Sequence, residues 1–319
     1  MSENFSFRPA VRENVGLLIG LAGASGSGKT YTAMRLAKGI CGDKPFAVID
    51  TEAGRAKHYA DAFRFDHGDL KPPFSPLAYA EAIRAADEAG YPVIVVDSVS
   101  HEHAGDGGLL DMHEAELERM AGDDWKKREA VKMAAWIKPK AGHKRFVSKL
   151  LQVRAHLILC FRAEEKIEMV RGETGRMEVR KKQTSTGLDG WCPISEKNLP
   201  YELTASFLLL ASRPGYPMPI KLQEQHKALF PLDAPIDETS GRKLADWAKG
   251  SPQPGDRQGS SALRSTEASP AAGDQDEAID EAQLADLRAL LEEIKDGEAR
   301  FKRQAKVERI SLLKRSEFP

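Results

Sequence analysis

The sequence predicts an α/β fold in which a mostly parallel sheet is flanked by helices. Three observations predict it: segments that are apolar throughout recur along residues 15–247, helical segments separate them, and a glycine-rich loop joins the first apolar segment to the first helix. Strands that are apolar on both faces are typical of parallel sheets covered on both sides. Their alternation with helices therefore predicts a doubly wound core.

Local patterns place the individual elements. Apolar runs that end in polar or turn residues predict strands at residues 15–22, 46–50, 93–97, 156–161 and 206–211. The segments between them predict helices at residues 31–40, 78–89, 109–120 and 142–153.

Composition divides the chain into four parts. Residues 1–14 are polar and predict an N-terminal arm before a core of residues 15–250. Residues 251–278 are rich in Ser, Pro, Gly and Ala without an apolar period, which predicts a flexible linker. Leucines at helical spacing then predict a small helical C-terminal module at residues 279–319, which we expect to be incomplete or shortened.

The bulk composition excludes several classes of protein. With 41% hydrophobic and 30% charged residues, the chain has an ordinary globular composition, and no apolar run is long enough to cross a membrane. The N-terminus lacks the features of a secretory signal, so a cytoplasmic location is expected. Three scattered cysteines do not predict a disulfide framework, and the net charge of −1 gives no overall attraction to nucleic acid.

Residues 23–30 match the Walker A pattern in full, between a predicted strand and a predicted helix. In that context the loop predicts a binding site for ATP or GTP. The glycines are expected to adopt positive φ and turn backbone N–H groups inward, Lys29 to contact the β- and γ-phosphates, and Thr30 to bind Mg²⁺. The residues predicted to bind the nucleotide are Gly23, Ala24, Ser25, Gly26, Ser27, Gly28, Lys29 and Thr30.

Carboxylates follow two of the predicted strands. Nucleotide hydrolysis needs one acidic group near Mg²⁺ and a second group that orients or deprotonates water. The strand at 93–97 ends in Asp97, the Walker B form, which predicts a Mg²⁺ ligand beside Thr30; the alternative is a cap on the next helix. Asp50 and Glu52 follow the strand at 46–50, and either of them could face the γ-phosphate or cap the strand end.

A basic residue, Arg162, follows the strand at 156–161. One interpretation is that it senses the γ-phosphate or reaches a neighbouring subunit's site as an arginine finger. The other is a salt bridge with Glu164 or Glu165. His101 and Glu102 follow Asp97 closely enough to orient water, but a solvated loop explains them equally well.

The order of these motifs resembles the RecA family of P-loop ATPases. The stretch Ile49-Asp50-Thr51-Glu52 follows the Walker A helix, and a later apolar run ends in Asp97-Ser98. The resemblance implies that ATP is the nucleotide, that Glu52 is the catalytic base and that Asp97 is a Mg²⁺ ligand.

Further stretches resemble a narrower, phage-encoded group of AAA-type nucleotide-binding proteins, some of which are single-strand annealing proteins of the Sak type. These stretches are residues 97–102, 107–111, 134–136 and 162–166. The resemblance spans residues 15–247. It implies recombination or annealing in a bacterial cytoplasm or phage-infected host, with single-stranded DNA and further copies of the chain as partners.

Two basic stretches lie where DNA-contacting loops of RecA-like proteins would be expected. Residues 138–149 contain five Lys or Arg and no acid, and residues 171–182 have the pattern of a hairpin ending in basic residues. Their cations would neutralise phosphates, and Phe146 or Trp136 would stack on bases. The alternative is that both stretches are ordinary solvated faces.

Three functions are compatible with these predictions. The first is a RecA-like ATPase that acts on single-stranded DNA, with ATP binding coupled to oligomer formation. The second is a slow nucleotide-dependent switch whose C-terminal module recruits a partner, such as a single-strand-binding or replication protein. The third is a small-molecule kinase, for which the sequence shows no convincing acceptor-binding lid.

Overall fold

The structure is a computed structural model of the chain. It describes residues 16–171, 176–182, 188 and 190–250. The predicted N-terminal arm, linker and C-terminal helical module lie outside the described residues, so those three predictions stay predictions.

The described residues alternate between strands and helices. The strands are β1 (Leu18–Gly23), β2 (Phe46–Asp50), β3 (Phe65–Asp69), β4 (Val93–Asp97), β5 (His156–Glu165), β6 (Ile167–Arg171), β7 (Met177–Lys181), β8 (Trp191–Pro193), β9 (Ala205–Leu210) and β10 (Arg213–Lys221). The α-helices are α1 (Lys29–Cys41), α2 (Pro76–Glu88), α3 (Ser100–Ala104), α4 (Leu109–Ala121), α5 (Trp125–Ala135), α6 (Ile137–Leu150), α7 (Leu199–Glu202) and α8 (Glu238–Ala248). None of the helices described has both the length and the apolar composition needed to cross a bilayer.

Seven strands form the central sheet in the order β10-β9-β1-β5-β4-β2-β3, β8 joins it beside β5, and β6 and β7 form a separate pair. Neighbours from β9 to β3 in this order are parallel, whereas β10 pairs antiparallel with β9 at the edge and β8 pairs antiparallel with the end of β5. Alternate strand residues belong to two hydrophobic clusters, with α1 and α8 packed in one and α2 and α6 in the other. The structure confirms the predicted α/β fold with a mostly parallel sheet covered on both faces.

Strand register brings the strand ends to a common edge. Gly23 pairs with Arg162, Asp97 with Cys160, and Asp50 with Asp97. Since β5 lies between β1 and β4, Arg162 stands between the phosphate-loop strand and the strand that ends in Asp97. The carboxyl ends of parallel strands are where α/β folds bind ligands.

The sequence prediction missed three strands, β3, β8 and β10, and four helices, α3, α5, α7 and α8. It also began α6 at residue 142, whereas the helix begins at Ile137. α5 and α6 follow each other directly, and Trp136 between them keeps helical torsion angles. Pro139 has no N–H to donate to the carbonyl of Ala135, which explains the interruption between the two helices.

Helix α8 docks on α1 through two glycines. A Cβ atom on Gly39 would lie 2.3 Å from the Glu238 carbonyl oxygen, and one on Gly241 would lie 2.4 Å from the Leu36 carbonyl oxygen. The two backbones therefore touch at a point where no larger residue fits.

Candidate functional site

The phosphate loop runs from the end of β1 to the start of α1. Gly26 and Gly28 have φ of 78° and 81°, so both adopt the left-handed conformation that glycine tolerates best. Gly23 was predicted to share this conformation and does not, since its φ is not positive. Its small size matters instead, because a Cβ there would lie 2.3 Å from Ser27 Oγ and 2.5 Å from the Leu209 carbonyl oxygen.

Lys29 and Thr30 open helix α1 and both face the loop. The Lys29 ammonium donates a hydrogen bond to the Ala24 carbonyl oxygen at 2.9 Å, so its side chain lies back across the loop. Burial lowers the pKa of Lys29, although the nearby carboxylates of Asp97 and Glu52 oppose this. A partly desolvated cation at the positive end of a helix is well placed to bind phosphate.

Asp97 is buried at the end of β4 and accepts a hydrogen bond from the Thr30 hydroxyl at 2.5 Å. Burial raises the pKa of Asp97, and the Thr30 bond only partly offsets this. The alternative prediction, a cap on the next helix, is wrong: α3 begins with Val99 in the N-cap position and has no side-chain cap.

Thr30 and Asp97 together suit a magnesium ion. Mg²⁺ prefers oxygen ligands, and its usual protein site combines one or two such groups with phosphate oxygens and water. The hydrogen bond between Thr30 and Asp97 already holds two oxygen ligands side by side next to the phosphate loop. The residues present therefore fit Mg²⁺ bound together with a nucleotide.

The structure separates the roles of Asp50 and Glu52. The Asp50 carboxylate is fully buried and accepts three hydrogen bonds: from Glu52 N at 2.6 Å, Ala56 N at 2.9 Å and His67 Nε2 at 3.1 Å. Asp50 thus holds the loop that follows β2, and it does not face the phosphate loop. Glu52 lines the cleft beside the phosphate loop, as the resemblance implied.

Arg162 binds Glu52 through two parallel hydrogen bonds. Its Nε donates to Glu52 Oε1 at 2.8 Å, and its Nη2 donates to Oε2 at 2.7 Å. Burial would raise the pKa of Glu52, but the hydrogen bonds and charge of Arg162 outweigh it and lower the pKa overall. The alternative prediction of a salt bridge from Arg162 to Glu164 or Glu165 is wrong, since those acids pair with Lys166 and Lys181.

These groups line one cleft of about 680 Å³, within the usual size range of small-molecule sites. Its wall also contains residues that the sequence prediction missed: Arg55, His58, Tyr59, Ala163 and Ile194. Arg55, His58 and Tyr59 belong to a 3₁₀ turn a few residues beyond Glu52. Proximity in sequence to Glu52 was a signal that could have identified them.

His101 and Glu102 have different surroundings. His101 Nδ1 lies 2.8 Å from the Thr51 hydroxyl, and the Thr51 hydroxyl accepts a hydrogen bond from Ser98 N at 2.9 Å. His101 therefore supports the loops that carry Glu52 and Asp97. Glu102 is buried and lies 2.9 Å from His143 Nδ1 of α6, so neither the predicted solvated loop nor a water-orienting role describes it.

Residues 125–150, which form α5 and α6, make up the most basic segment described. They contain nine Lys or Arg and one acid, Glu129. Among the described residues, six of the nine have no acidic partner: Lys126, Lys127, Lys140, Lys144, Arg145 and Lys149. The predicted basic stretch 138–149 is thus helical, and most of its cations lie on the exposed face of α6.

The prediction that aromatic residues of this segment stack on bases is wrong for Phe146 and is not supported for Trp136. Phe146 is 1% exposed and packs near Tyr79 in the core. Trp136 stacks on His113 with ring centroids 4.1 Å apart. The exposed aromatic is Trp125, which is 68% exposed and lies against Lys126.

The second basic stretch forms the predicted hairpin. β6 and β7 pair antiparallel with Met169 opposite Val179, and the two strands form a small sheet of their own. The two strands carry Glu168 and Glu178 as well as Arg171, Arg180 and Lys181, and Arg180 pairs with Glu178. This hairpin is therefore less basic than residues 125–150.

Comparison with known families identifies one match. A family model described as an AAA domain matches residues 16–193, more than half of the 319-residue chain. The matched residues include the phosphate loop, Glu52, Asp97 and Arg162. A comparison with curated proteins finds no match.

Proposed function

The chain belongs to the AAA domain family, and from this membership and the geometry of the cleft we propose that it hydrolyses ATP and acts on single-stranded DNA. One observation carries the proposal: Lys29, Thr30, Asp97 and Glu52 converge around the glycine-rich loop in a single cleft. A nucleotide-binding ATPase is what the family membership itself suggests. The DNA substrate and the role in phage recombination or annealing go beyond what the family membership suggests.

The proposed reaction assigns a task to each residue. Backbone N–H groups of the loop and Lys29 hold the phosphates, and Thr30 and Asp97 would hold Mg²⁺, which would neutralise phosphate charge. Glu52 accepts a proton from water while the water oxygen bonds to the γ-phosphorus and the bond from that phosphorus to the β,γ-bridging oxygen breaks. ADP and phosphate leave.

Nucleotide binding is tested first, by titrating a fluorescent ATP analogue into wild type and Lys29→Ala. Removal of a partly buried charge from the phosphate site is expected to weaken binding at least about tenfold. Lys38→Ala is the matched control, because Lys38 belongs to the same helix and is exposed outside the cleft. Equal affinities of wild type and Lys29→Ala would refute the nucleotide assignment.

Residues 125–150 support the DNA part of the proposal. Single-stranded nucleic acid is bound by cations that follow the backbone and by exposed aromatics that stack on bases. The six cations that have no acidic partner in the described part of the chain supply the first element, and Trp125 beside Lys126 and Lys127 supplies the second. α6 is joined to the nucleotide site through the contact of His143 with Glu102, five residues after Asp97.

Binding of an oligo(dT) to the full chain tests this surface. A Lys140→Ala/Lys144→Ala variant is expected to lower the salt dependence of log K by about 1.4, since each lost phosphate contact removes about 0.7 for single strands. Trp125→Ala is expected to weaken binding by about 1–3 kcal/mol. An Arg242→Ala/Lys243→Ala variant on α8 is the control, and equal losses in it would show that the effect is not specific to this surface.

A second candidate is a slow nucleotide-dependent switch that recruits a partner. The observation that favours it is the Arg162–Glu52 pair, because a catalytic base held by an arginine predicts a low basal rate. ATPase rates with and without single-stranded DNA distinguish the candidates: strong stimulation supports the first, and indifference supports the second. Sedimentation with and without ATP tests whether either one includes nucleotide-dependent homo-oligomer formation.

A further inference from the structure

A buried pair of titratable side chains joins helix α3 to helix α6. Glu102 of α3 is 1% exposed, and its Oε1 lies 2.9 Å from Nδ1 of His143, which is 7% exposed. Burial of a carboxyl group is costly unless the group is paired, so the position of each side chain depends on the other. Neither residue has a task in the proposed reaction, so the ATPase function alone does not explain their contact.

Helix α3 is bound closely to the nucleotide cleft. It follows the end of β4, where Asp97 lines the cleft, after a short connection. Its first residue, Ser100, accepts a hydrogen bond through Oγ from the backbone N of Arg162 at 2.9 Å, and Arg162 also lines the cleft. A displacement of α3 would therefore act on two strand ends that form the cleft.

Helix α6 has one face in the core and the other in solvent. His143 lies on the buried face together with Phe146 and Leu150, whereas Lys140 and Lys144 are exposed. The two lysines belong to the surface proposed to bind DNA. Because a helix moves as a rigid element over one turn, a shift of the lysines on DNA binding would also shift His143.

We propose that Glu102 and His143 are positioning residues that couple single-stranded DNA on α6 to the nucleotide site. DNA favours the position of α6 in which the pair holds α3, and through it Asp97, in the arrangement that binds ATP. By the same contact ATP favours DNA binding, since coupling between two sites is reciprocal. This inference rests on the proposed function and adds to it the contact through which the DNA surface regulates the nucleotide site.

The first readout is a coupling factor, the ratio of the oligo(dT) dissociation constants of the full chain without and with a non-hydrolysable ATP analogue. Wild type is expected to show a factor of about 5–150, the usual range. Glu102→Ala and His143→Ala are each expected to bring it within about twofold of one, and the double variant should lose no more, because all three break the same contact. Glu102→Gln keeps an oxygen acceptor beside His143 and is expected to retain an intermediate factor. A merely structural loss would weaken both dissociation constants alike and leave the ratio unchanged.

Glu116 provides a matched control. It is also buried, and its Oε1 accepts a hydrogen bond from Lys138 Nζ of α6 at 2.7 Å. It belongs to α4, a fully described helix that contributes no residue to the wall of the nucleotide cleft. Glu116→Gln is expected to keep the wild-type coupling factor, because release of Lys138 changes DNA affinity alike with and without the analogue. Loss of coupling in this variant would show that any loosening of α6 has the same effect, and would overturn the specific role of Glu102.

Amide hydrogen exchange of the wild-type chain is a second readout, and it does not depend on the variants being folded. In α3, Glu102 N donates to the Val99 carbonyl oxygen, and Gly105 N donates to the His101 carbonyl oxygen. Oligo(dT) is expected to slow exchange of these amides, although α3 is not part of the proposed DNA surface. Exchange in β3, at the far edge of the sheet, is expected to stay unchanged.

The possible failures are distinguishable. A wild-type coupling factor of one, or the wild-type factor in both Glu102→Ala and His143→Ala, would overturn the inference and leave the ATPase and DNA-binding proposals standing. Unchanged exchange in α3 on addition of oligo(dT) would overturn it even if no variant folded. If the wild-type chain does not bind oligo(dT) at all, the DNA part of the proposed function is overturned, and this inference with it.

Discussion

The substitution Asp50→Ala tests whether this buried carboxylate holds the loop that carries Glu52. Asp50 accepts hydrogen bonds from Glu52 N, Ala56 N and His67 Nε2, and it is 1% exposed. Alanine would leave the two backbone donors unpaired, and each buried unpaired donor costs about 1–3 kcal/mol. The expected loss is therefore about 4 kcal/mol in the free energy of unfolding.

Urea denaturation of the full chain measures this loss, with the midpoint lowered and the slope unchanged. Asp69→Ala is the matched control: Asp69 pairs in register with Asp50 on the neighbouring strand but is exposed, and its carboxylate lies 3.7 Å from the Lys71 ammonium. That variant is expected to stay within about 0.5 kcal/mol of wild type.

The Asp50→Ala variant also tests whether Asp50 contacts the nucleotide. Because Asp50 holds the loop and does not face the phosphates, ATP affinity is expected to stay within a few-fold of wild type while kcat falls, since Glu52 loses its support. A loss of stability no larger than that of Asp69→Ala would refute the assigned role. A selective loss of ATP affinity in a stable Asp50→Ala protein would refute it as well.

Three further predictions concern packing and pH. Gly39→Ala should destabilise the fold by about 1–3 kcal/mol in thermal unfolding, because its Cβ would lie 2.3 Å from a backbone oxygen of α8. Gly142→Ala is the control: its Cβ would have no described neighbour nearer than 3.7 Å, so this variant should stabilise the fold by about 0.5–1 kcal/mol. Phe146→Ala should cost about 3–5 kcal/mol in urea denaturation, since the side chain is 1% exposed; a loss below about 1 kcal/mol would contradict its burial. Burial raises the pKa of Glu52, but Arg162 lowers it more strongly, so the pKa in the folded chain is below its ordinary value. The stability that Glu52 contributes is therefore fully present above the ordinary pKa and is lost as the pH falls through the lowered pKa of the folded chain. The difference in unfolding free energy between wild type and Glu52→Gln should therefore be larger at about pH 6 than at about pH 3, and a difference independent of pH would contradict the pairing.

The features that were predictable from sequence are those whose pattern is local. The phosphate loop is one continuous motif between a strand and a helix, so its position and the placement of Lys29 and Thr30 at the start of α1 could be predicted without the fold. The apolar strand that ends in Asp97 is local in the same way. Strand β3 was missed because its sequence, Phe-Asp-His-Gly-Asp, lacks the apolar run typical of central strands.

Partners that are distant in sequence could not be predicted. Arg162 and Glu52 are 110 residues apart, and only the strand order and register bring them together. The sequence suggested the nearest acids, Glu164 and Glu165, as salt-bridge partners of Arg162, and both suggestions were wrong. The burial of Phe146 did have a signal, because His143, Phe146 and Leu150 follow helical spacing along one face of α6.

The most direct test of the central claim is ATP turnover by Glu52→Gln compared with its ATP binding. Glutamine keeps the size of the side chain but cannot accept the proton from water, so the phosphate loop should bind ATP about as well as wild type does. The rate of a single turnover is expected to fall by about 10²–10⁴-fold. Retention of the full wild-type rate by Glu52→Gln would contradict the account.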